Sequence, residues 1–284
     1  MRVLLTNDDG IRAEGLRAMY RALREAGHTV HVVAPMHEQS GVGHSLTFFD
    51  PLRAHKIEEP DFEGLGLYGT PTDCVKLALG NLLKKRPDMV ISGINAGSNV
   101  GPDILYSGTV GAATEAAHED LPSMALSCDA GGGHPDMDAI ARHAVELAAR
   151  IDWKKVAHRR VINVNYPRGP LSEAKGLRIC PQTSAVWKNA YAERKDPRGE
   201  PYWWLEGEIP PHTINAGSDK DLLNRGYITV TPLRFAFTAH ESLRSLEAMP
   251  LSYTAYGPLR SRFYAFFHAR PTVIPLWALF FTIS

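Results

Sequence analysis

The order of apolar runs and polar turns at the start of the chain predicts a strand, a helix and a second strand. The apolar run RVLLT passes directly into the turn NDDG at residues 7–10. In the next segment, IRAEGLRAMYRALREAG, apolar residues recur three and four positions apart, which is the spacing of a helix that buries one face. The run TVHVVAP then has the composition of a strand. A strand–helix–strand unit of this kind builds a parallel sheet with a right-handed crossover.

The same alternation continues to about residue 167 and predicts a doubly wound, mainly parallel α/β sheet. Further strands are predicted at GLGLYG, DMVISG, PSMALS and RRVINVNYP. Helices are predicted from Pro71 to Lys85, in TVGAATEAAHED and in MDAIARHAVELAARI. Ligands of such sheets bind at the carboxyl ends of the strands. The turn NDDG follows such an end, so the sequence favours a site there over a plain turn.

Residues 181–250 have a different character and predict a β-rich C-terminal arm. The stretch AERKDPRGEPYWWLEGEIPPHT is rich in proline, charge and aromatic residues, and GYITVTPLRFAFTA alternates like an antiparallel strand. The aromatic side chains are too numerous for a solvated loop and predict an oligomer interface, with an intramolecular subdomain as the alternative. They are Trp187, Tyr191, Tyr202, Trp203 and Trp204.

These differences predict a domain of residues 1–180, an arm of residues 181–250 and an atypical tail of residues 251–284. The tail has no Asp or Glu, several Arg and many aromatic residues, and its apolar positions fit neither a helical nor a strand period. We expect the tail to lie outside the fold, so that truncation after Pro250 leaves activity unchanged. The alternative is a membrane-surface or partner-binding appendage.

Composition and charge narrow the class of protein. The chain has 284 residues, with 31 basic and 31 acidic side chains, so nothing in the charge balance indicates nonspecific nucleic-acid binding. Three widely spaced cysteines, Cys74, Cys128 and Cys180, form neither a metal-ligand motif nor a disulfide framework, which favours a reducing compartment. The first residues lack the pattern of a signal peptide, and no apolar run is long enough to span a membrane. The sequence therefore predicts a cytoplasmic protein without a membrane partner.

Four polar segments fall at predicted strand ends or in the adjoining loops. They are the turn at residues 7–10, Gln39-Ser40-Gly41, the loop GINAGSN at residues 93–99, and YSGTV at residues 106–110. Because the carboxyl ends of parallel strands lie at one edge of a sheet, we expect these segments to converge on one crevice.

The donor groups of these segments indicate a divalent metal beside an anion site. Two carboxylates, a hydroxyl and an amide oxygen are hard oxygen ligands, which suit Mg²⁺, Mn²⁺ or Ca²⁺ better than zinc. Ser107-Gly108-Thr109 precedes a predicted helix and offers backbone N–H groups and hydroxyls to an anion. A metal ion next to an anion-binding site is typical of enzymes that transfer phosphoryl groups or hydrolyse phosphate esters.

Each segment also has a structural interpretation. Asn95 and Asn99 could be left-handed turn residues, and Ser107 or Thr109 could be an ordinary helix N-cap. His44 could be an acid–base group, although a single loop histidine is more often solvated. The sequence contains no GxxxxGK[ST] loop, no GxGxxG after the first strand and no GxSxG, which disfavours three familiar classes of site.

The chain resembles the SurE (survival protein E) family of metal-dependent 5'-nucleotidases. The matching segments are LLTNDDGI, APMHEQSG, YGTPTDCVKLAL, ISGINAGSNVG, YSGTVGAATEA, LPSMALS, INVNYP and GYITVTPL, which occur in this order over most of residues 1–233. The resemblance implies a Rossmann-like domain, a divalent cation and release of phosphate from nucleoside monophosphates. It also implies 3'-nucleotidase or short-chain polyphosphatase activity in some members.

Carried over by position, the resemblance assigns roles to eight residues. The implied metal ligands are Asp8, Asp9, Ser40 and Asn95. The residues implied to bind phosphate are Asn99, Ser107, Gly108 and Thr109. Asp8 and Asp9 are the implied catalytic residues, and two routes stay open. One is attack by a water that either carboxylate orients or deprotonates, and the other is direct attack by Asp8.

The resemblance also implies a homodimer or homotetramer with exchanged C-terminal segments. The chain departs from the family at Ala236, where Asp is usual, and at Glu14, where Pro is usual. The sequence as a whole predicts a divalent-metal-dependent phosphomonoesterase that acts on nucleoside monophosphates. The alternative is a nonhydrolytic, nucleotide-binding regulatory protein with the same pocket.

Overall fold

The computed structural model describes residues 1–131, 133–156 and 158–251, and it confirms the predicted α/β fold. The strands are β1 Arg2–Thr6, β2 Thr29–Pro35, β3 Arg53–Glu59, β4 Phe62–Tyr68, β5 Met89–Asn95, β6 Ser123–Cys128, β7 Val161–Tyr166, β8 Leu177–Ile179, β9 Lys188–Lys195, β10 Pro201–Glu208 and β11 Ile228–Leu233. The helices are α1 Glu14–Glu25, α2 Pro71–Leu77, α3 Gly108–His118, α4 Met137–Arg150, α5 Asp219–Asn224 and α6 His240–Glu247.

Nine strands form one sheet in the order β3-β4-β2-β1-β5-β6-β7-β11-β8. The strands from β4 to β7 in this order are parallel, and β3 and β11 are antiparallel to their neighbours β4 and β7. Strands β2, β4 and β3 lie on one side of β1, and the chain then crosses to the other side of β1 to form β5. The strand order therefore reverses between β1 and β5, and such a switch point is where open α/β sheets bind ligands.

Helices cover both faces of the sheet, as a doubly wound fold requires. Val3 and Leu5 of β1 pack in one core cluster with residues of α1 and α4, whereas Leu4 packs in another with residues of α2 and α3. Successive strand residues point to opposite faces, so a strand covered on both sides must be apolar throughout. This explains why RVLLT is a continuous apolar run rather than an alternating one.

The second predicted helix is shorter than its apolar pattern indicates. Thr70 caps α2 in a reciprocal capping box with Asp73, and the α-helix begins at Pro71 as predicted. It ends at Leu77, and residues Ala78–Leu82 continue as a wider π-helical turn. Gly80 and Asn81 lie in that turn, and both are poor helix formers.

The C-terminal part contributes to the main sheet and also forms a separate hairpin. Strand β11 pairs antiparallel with β7, in line with its alternating pattern, and parallel with β8. Strands β9 and β10 pair only with each other, over Lys188–Lys195 and Pro201–Glu208. The predicted domain boundaries at residues 180 and 250 stay predictions.

The chain divides into two compact units, residues 1–235 and a second unit that begins at Ala236. The described part of the second unit contains α6, His240–Glu247, which is exposed along its length. The predicted tail from residue 252 onward lies outside the described residues. In the described part of the chain, no helix combines the length and apolar composition needed to cross a membrane.

Candidate active site

Asp8 lies just beyond the carboxyl end of β1 and is almost completely buried, with 4% of its surface exposed. The hydroxyl of Thr109, in the first turn of α3, donates a hydrogen bond to Asp8 Oδ1. Burial raises the pKa of Asp8, while the hydrogen bond from Thr109 lowers it. Two of the predicted segments, the turn at residues 7–10 and the start of α3, therefore meet at this carboxylate.

Gly108 leaves room for the Asp8 side chain. A Cβ atom at Gly108 would lie 2.9 Å from Asp8 Cβ and 3.1 Å from Asp8 Oδ2. The same atom would lie 3.1 Å from Cγ of Pro71, on the other side of the position. The glycine is thus required for close packing of α3 on Asp8 and not for an unusual backbone angle.

Asp9 is half-buried and faces the loop after β5. Its Oδ2 accepts a hydrogen bond from the backbone N–H of Ala96 at 3.2 Å. Burial, and then the neighbouring charge of Asp8, raise the pKa of Asp9 to about 6. This bond brings the carboxylate next to Asn95, the last residue of β5.

The segment with Ser40 is tied to the same place by backbone hydrogen bonds. The Gln39 N–H donates to the carbonyl of Asp8 at 2.7 Å, and the Gly43 N–H donates to the carbonyl of Tyr106 at 2.9 Å. Ser40 is exposed, and its hydroxyl donates to Glu38 Oε1 at 2.6 Å. The negative charge of Glu38 also raises the pKa of Asp8 and Asp9.

Asn95 and Asn99 have different surroundings. Asn95 is half-buried, and its Nδ2 donates to the carbonyl of Gly97 at 2.7 Å. Asn99 is buried, with 7% exposed, and its Nδ2 donates to the hydroxyl of Ser127 at 2.8 Å. Neither asparagine has a positive φ angle, so the interpretation of both as left-handed turn residues is wrong.

Ser107 is the N-cap of α3. Its Oγ accepts a hydrogen bond from the Val110 N–H at 3.1 Å, so the capping interpretation is confirmed for this residue. Thr109 is not a cap, because its hydroxyl is bonded to Asp8. The backbone N–H groups of the first turn point to the N-terminal end of the helix, as an anion cradle requires.

His44 is paired with a buried carboxylate rather than simply solvated. Its Nε2 donates to Glu115 Oε2 at 2.9 Å, and the ammonium group of Lys76 donates to Glu115 Oε1 at 2.7 Å. The hydrogen bond from His44, together with the hydrogen bond and charge of Lys76, lowers the pKa of Glu115 to about 2, although burial opposes this. Glu115 thereby ties the Ser40 segment and α2 to α3.

Replacement of Glu115 by glutamine should destabilise the fold mainly above acidic pH. A group with a lowered folded-state pKa contributes stability above its ordinary value of 4.5, and the contribution is lost as the pH falls toward about 2. We expect Glu115→Gln to lower the free energy of unfolding by about 2 kcal/mol at neutral pH. Urea unfolding across the acid range measures this, and the difference from wild type should shrink as the pH falls below 4.5.

The matched control is Glu119→Gln, an exposed carboxylate at the end of the same helix. Its loss of stability should be small, because exposed ion pairs contribute little. A pH-independent difference between wild type and Glu115→Gln would contradict the assignment of an ionised, paired Glu115.

The donor set at Asp8 and Asp9 fits a hard divalent cation. The charges that act on the two carboxylates are those of Asp8 and Glu38, and all are negative. In the described part of the chain, no basic side chain forms an ion pair with either one. Two adjacent, partly desolvated carboxylates without a counter-charge are stabilised by a bound cation.

The implied ligand set does not need a cluster of three or more His, Cys, Asp or Glu side chains. Among the described residues, no three His, Cys, Asp or Glu side chains are grouped as a metal site. The ligand set implied by the resemblance has only two such side chains, and in it Ser40 and Asn95 would supply a hydroxyl and an amide oxygen. A set with few protein ligands leaves coordination positions for water and substrate oxygens.

Comparison with known proteins decides the family. The family model described as "Survival protein SurE" matches residues 3–189. The chain belongs to the SurE family. A relative from Desulfovibrio desulfuricans, named 5'-nucleotidase SurE, is 72% identical over 255 residues, which cover 88% of this chain and 99% of the relative. A second, from Nitratidesulfovibrio vulgaris and with the same name, is 60% identical over 86% of this chain and 90% of its own length.

A solved structure agrees with the fold described above. The crystal structure of the SurE protein from Aquifex aeolicus superposes with a TM-score of 0.74 at 36% sequence identity, and the match covers 87% of this chain and 98% of that one. The Rossmann-like SurE fold implied by the resemblance is therefore confirmed. The metal and phosphate roles of the eight site residues stay predictions, although the structure brings their segments together.

Sequence reasoning missed several residues that hold the SurE-family site together. Glu115 was part of an Ala-rich helix pattern and gave no separate signal. Asn163 and Asn165 occupy alternate positions of the strand INVNYP, and both are completely or almost completely buried. Two polar residues on one face of an otherwise apolar strand are a readable signal, because buried polar groups must find partners.

Proposed function

We propose that this SurE-family protein hydrolyses nucleoside 5'-monophosphates to nucleoside and phosphate with the help of a divalent cation. The observation that carries the proposal is the pair of carboxylates, Asp8 and Asp9, at the switch point of the sheet, without a basic partner in the described chain and next to the start of α3. The 72% identical relative, named 5'-nucleotidase SurE, supports the same activity.

The cation would be held by Asp8, Asp9, Ser40 and Asn95, and Mg²⁺ or Mn²⁺ suits these oxygen ligands best, with Ca²⁺ as a further candidate. Bound there, it would polarise a phosphate oxygen and lower the pKa of a water. Thr109 orients the Asp8 carboxylate through its hydroxyl.

The phosphate side of the site is assigned to the start of α3. Backbone N–H groups of Gly108 and Thr109 supply donors for the phosphoryl oxygens, with Asn99 beside them. Asp8 or Asp9 orients or deprotonates the attacking water. The Ser107 hydroxyl already caps the helix, so its part is to fix the geometry of these donors.

The function is tested by phosphate release from AMP. We expect turnover in the presence of Mn²⁺ or Mg²⁺ and none after treatment with EDTA, with recovery when the cation is returned in excess. The metal-free protein should keep its fold, because the apolar clusters that pack on the two faces of the sheet do not include Asp8 or Asp9. If the protein binds AMP but releases no phosphate with any divalent cation added, the result would contradict the proposal and favour the nonhydrolytic, regulatory alternative.

Two finer points of substrate choice belong to the same proposal. A panel of 5'- and 3'-monophosphates and short polyphosphate tests the additional activities implied by the resemblance. Equal turnover of 3'- and 5'-monophosphates would show that the site recognises the phosphate group and not its position on the sugar.

We further propose that the protein is a homodimer or homotetramer in which the C-terminal arm packs against a partner subunit. The β9–β10 hairpin supports this, because Trp203, Trp204 and Leu205 are each more than half exposed. Light scattering at micromolar concentration tests it, and a monomer would contradict it. A cytoplasmic location is proposed as well, and it is supported by the three buried, unpaired cysteines.

A further inference from the structure

The backbone of Asn99 is held by side chains from a neighbouring strand instead of by regular secondary structure. Asn99 lies between the end of β5 at Asn95 and the 3₁₀ turn that begins at Gly101. Its N–H donates to Asn165 Oδ1 at 2.7 Å, and its carbonyl accepts from Asn165 Nδ2 at 3.1 Å. A second donor, Asn163 Nδ2, reaches the same carbonyl at 2.9 Å.

A carboxamide at position 165 fits this arrangement, because its oxygen accepts and its nitrogen donates. A single backbone residue presents one donor and one acceptor, and only a side chain with both a donor and an acceptor can satisfy the two at once. Asn165 lies in β7, between β6 and β11, with 1% of its surface exposed. Water therefore cannot replace it without a rearrangement of the sheet, and loss of the bonds leaves a buried N–H group unpaired.

The residue held in this way is at the candidate site. Asn99 Nδ2 is bonded to the Ser127 hydroxyl, and Ser127 is the register partner of Asn95 across the β5–β6 pair. The side chain of Asn99 is thus fixed over the carboxyl end of β6, one strand away from the implied metal ligand on β5. Its backbone is fixed by β7 and its side chain by β6.

We propose that Asn165 is a positioning residue for the reaction, which acts by holding Asn99 in place beside the phosphate. The inference rests on the proposed function, because it assigns Asn99 to the phosphate side. Asn165 does not touch the substrate and adds no chemistry. Its two hydrogen bonds hold the backbone of Asn99 and thereby fix the position of the Asn99 side chain, and Asn163 supports the same carbonyl.

The first test is Asn165→Leu, which keeps the approximate volume and removes both hydrogen bonds. We expect kcat/KM for AMP to fall by about 10- to 100-fold, as for misplacement of a group that does not itself react. The matched control is Thr229→Val. Thr229 is the register partner of Asn165 on β11, and its hydroxyl is buried without a hydrogen-bond partner among the described residues. This control should leave kcat/KM unchanged.

A double-mutant cycle separates positioning from general damage to the fold. In the background of Asn99→Ala, the further change Asn165→Leu should cost less than about threefold in kcat/KM, because the group that it positions is already gone. An equal loss in both backgrounds, or no loss in the single variant, would overturn the proposal. All variants are assayed well below their unfolding temperatures.

Two further measurements keep the outcome decisive. If Asn165→Leu does not fold, Asn163→Ala removes one of the two donors to the Asn99 carbonyl and should give a smaller loss in the same direction. Inorganic phosphate binding in the presence of Mn²⁺, measured by calorimetry, does not depend on turnover, and it should weaken in Asn165→Leu and not in Thr229→Val.

The calorimetric result distinguishes the two proposals. Wild-type protein that binds phosphate but releases none from AMP would overturn the proposed function, while weaker phosphate binding by Asn165→Leu would still support positioning. Wild-type protein that neither binds phosphate nor hydrolyses AMP would overturn both. Unchanged phosphate binding and unchanged kcat/KM in Asn165→Leu would overturn positioning alone.

Discussion

Asp8→Asn should abolish most phosphate release from AMP and leave the fold intact. The change removes one charged ligand from the implied metal site, and the loss in kcat/KM should exceed about 100-fold, since even residues that only orient metal ligands are worth 10–100-fold. The hydrogen bond from Thr109 can persist, because the asparagine carboxamide also offers an acceptor oxygen. The loss of activity should therefore result from the missing negative charge and not from a change in the position of the side chain.

The same variant should be at least as stable as wild type when EDTA is present. Asp8 is buried, and its pKa is raised because burial penalises the charged form. Removal of that charge relieves the repulsion between Asp8 and Asp9, as expected where a site is kept at the expense of stability. Thermal unfolding in EDTA measures this, and added Mn²⁺ should raise the unfolding temperature of wild type more than that of the variant.

The control for this experiment is Asp138→Asn on α4, an exposed carboxylate whose hydrogen-bond partner is Arg21. It should change neither activity nor the response to Mn²⁺. If a folded Asp8→Asn protein turns over AMP at the wild-type rate, the carboxylate pair is not part of the mechanism. The main argument for the proposed activity would then fail.

The strands that carry the site could be predicted from the sequence because they are buried on both faces. The run RVLLT and the segment DMVIS are mostly apolar and end in polar turns, so the two strands and the position of the candidate site could be predicted from local sequence. Strand β3, Arg53–Glu59, was missed for the opposite reason. Its side chains are almost all exposed at the edge of the sheet, so its sequence carries no apolar period.

The contacts that complete the site could not be predicted, because they join distant parts of the chain. His44 and Glu115 are 71 positions apart, and Asn99 and Asn165 are 66 apart. Local patterns place each residue on a helix, strand or loop, but they do not say which residues face one another. The assignment of Ser107 shows the same limit, since a cap and a phosphate ligand look alike in sequence and only the bond to Val110 identified the cap.

Gly108→Ala should reduce activity strongly without an equal loss of stability. Gly108 is the first residue of α3, where alanine is an acceptable helix former, so the backbone does not oppose the change. The new methyl group would lie 2.9 Å from Asp8 Cβ, which is closer than such atoms approach, and Pro71 blocks the other side. Asp8 must then move, and a displacement of about 1 Å at a reacting group can cost on the order of 100-fold in kcat/KM.

The chain provides a matched control for this change in Gly80→Ala. Gly80 is exposed in the turn after α2, and a Cβ there would meet nothing within 4 Å. This variant should keep full activity and gain slightly in unfolding temperature, because alanine loses less backbone entropy than glycine on folding. If Gly108→Ala retains wild-type kcat/KM, the close contact between α3 and Asp8 does not set the position of the carboxylate. If both variants lose activity equally, the cause lies in backbone freedom at the two glycines, and the steric argument fails.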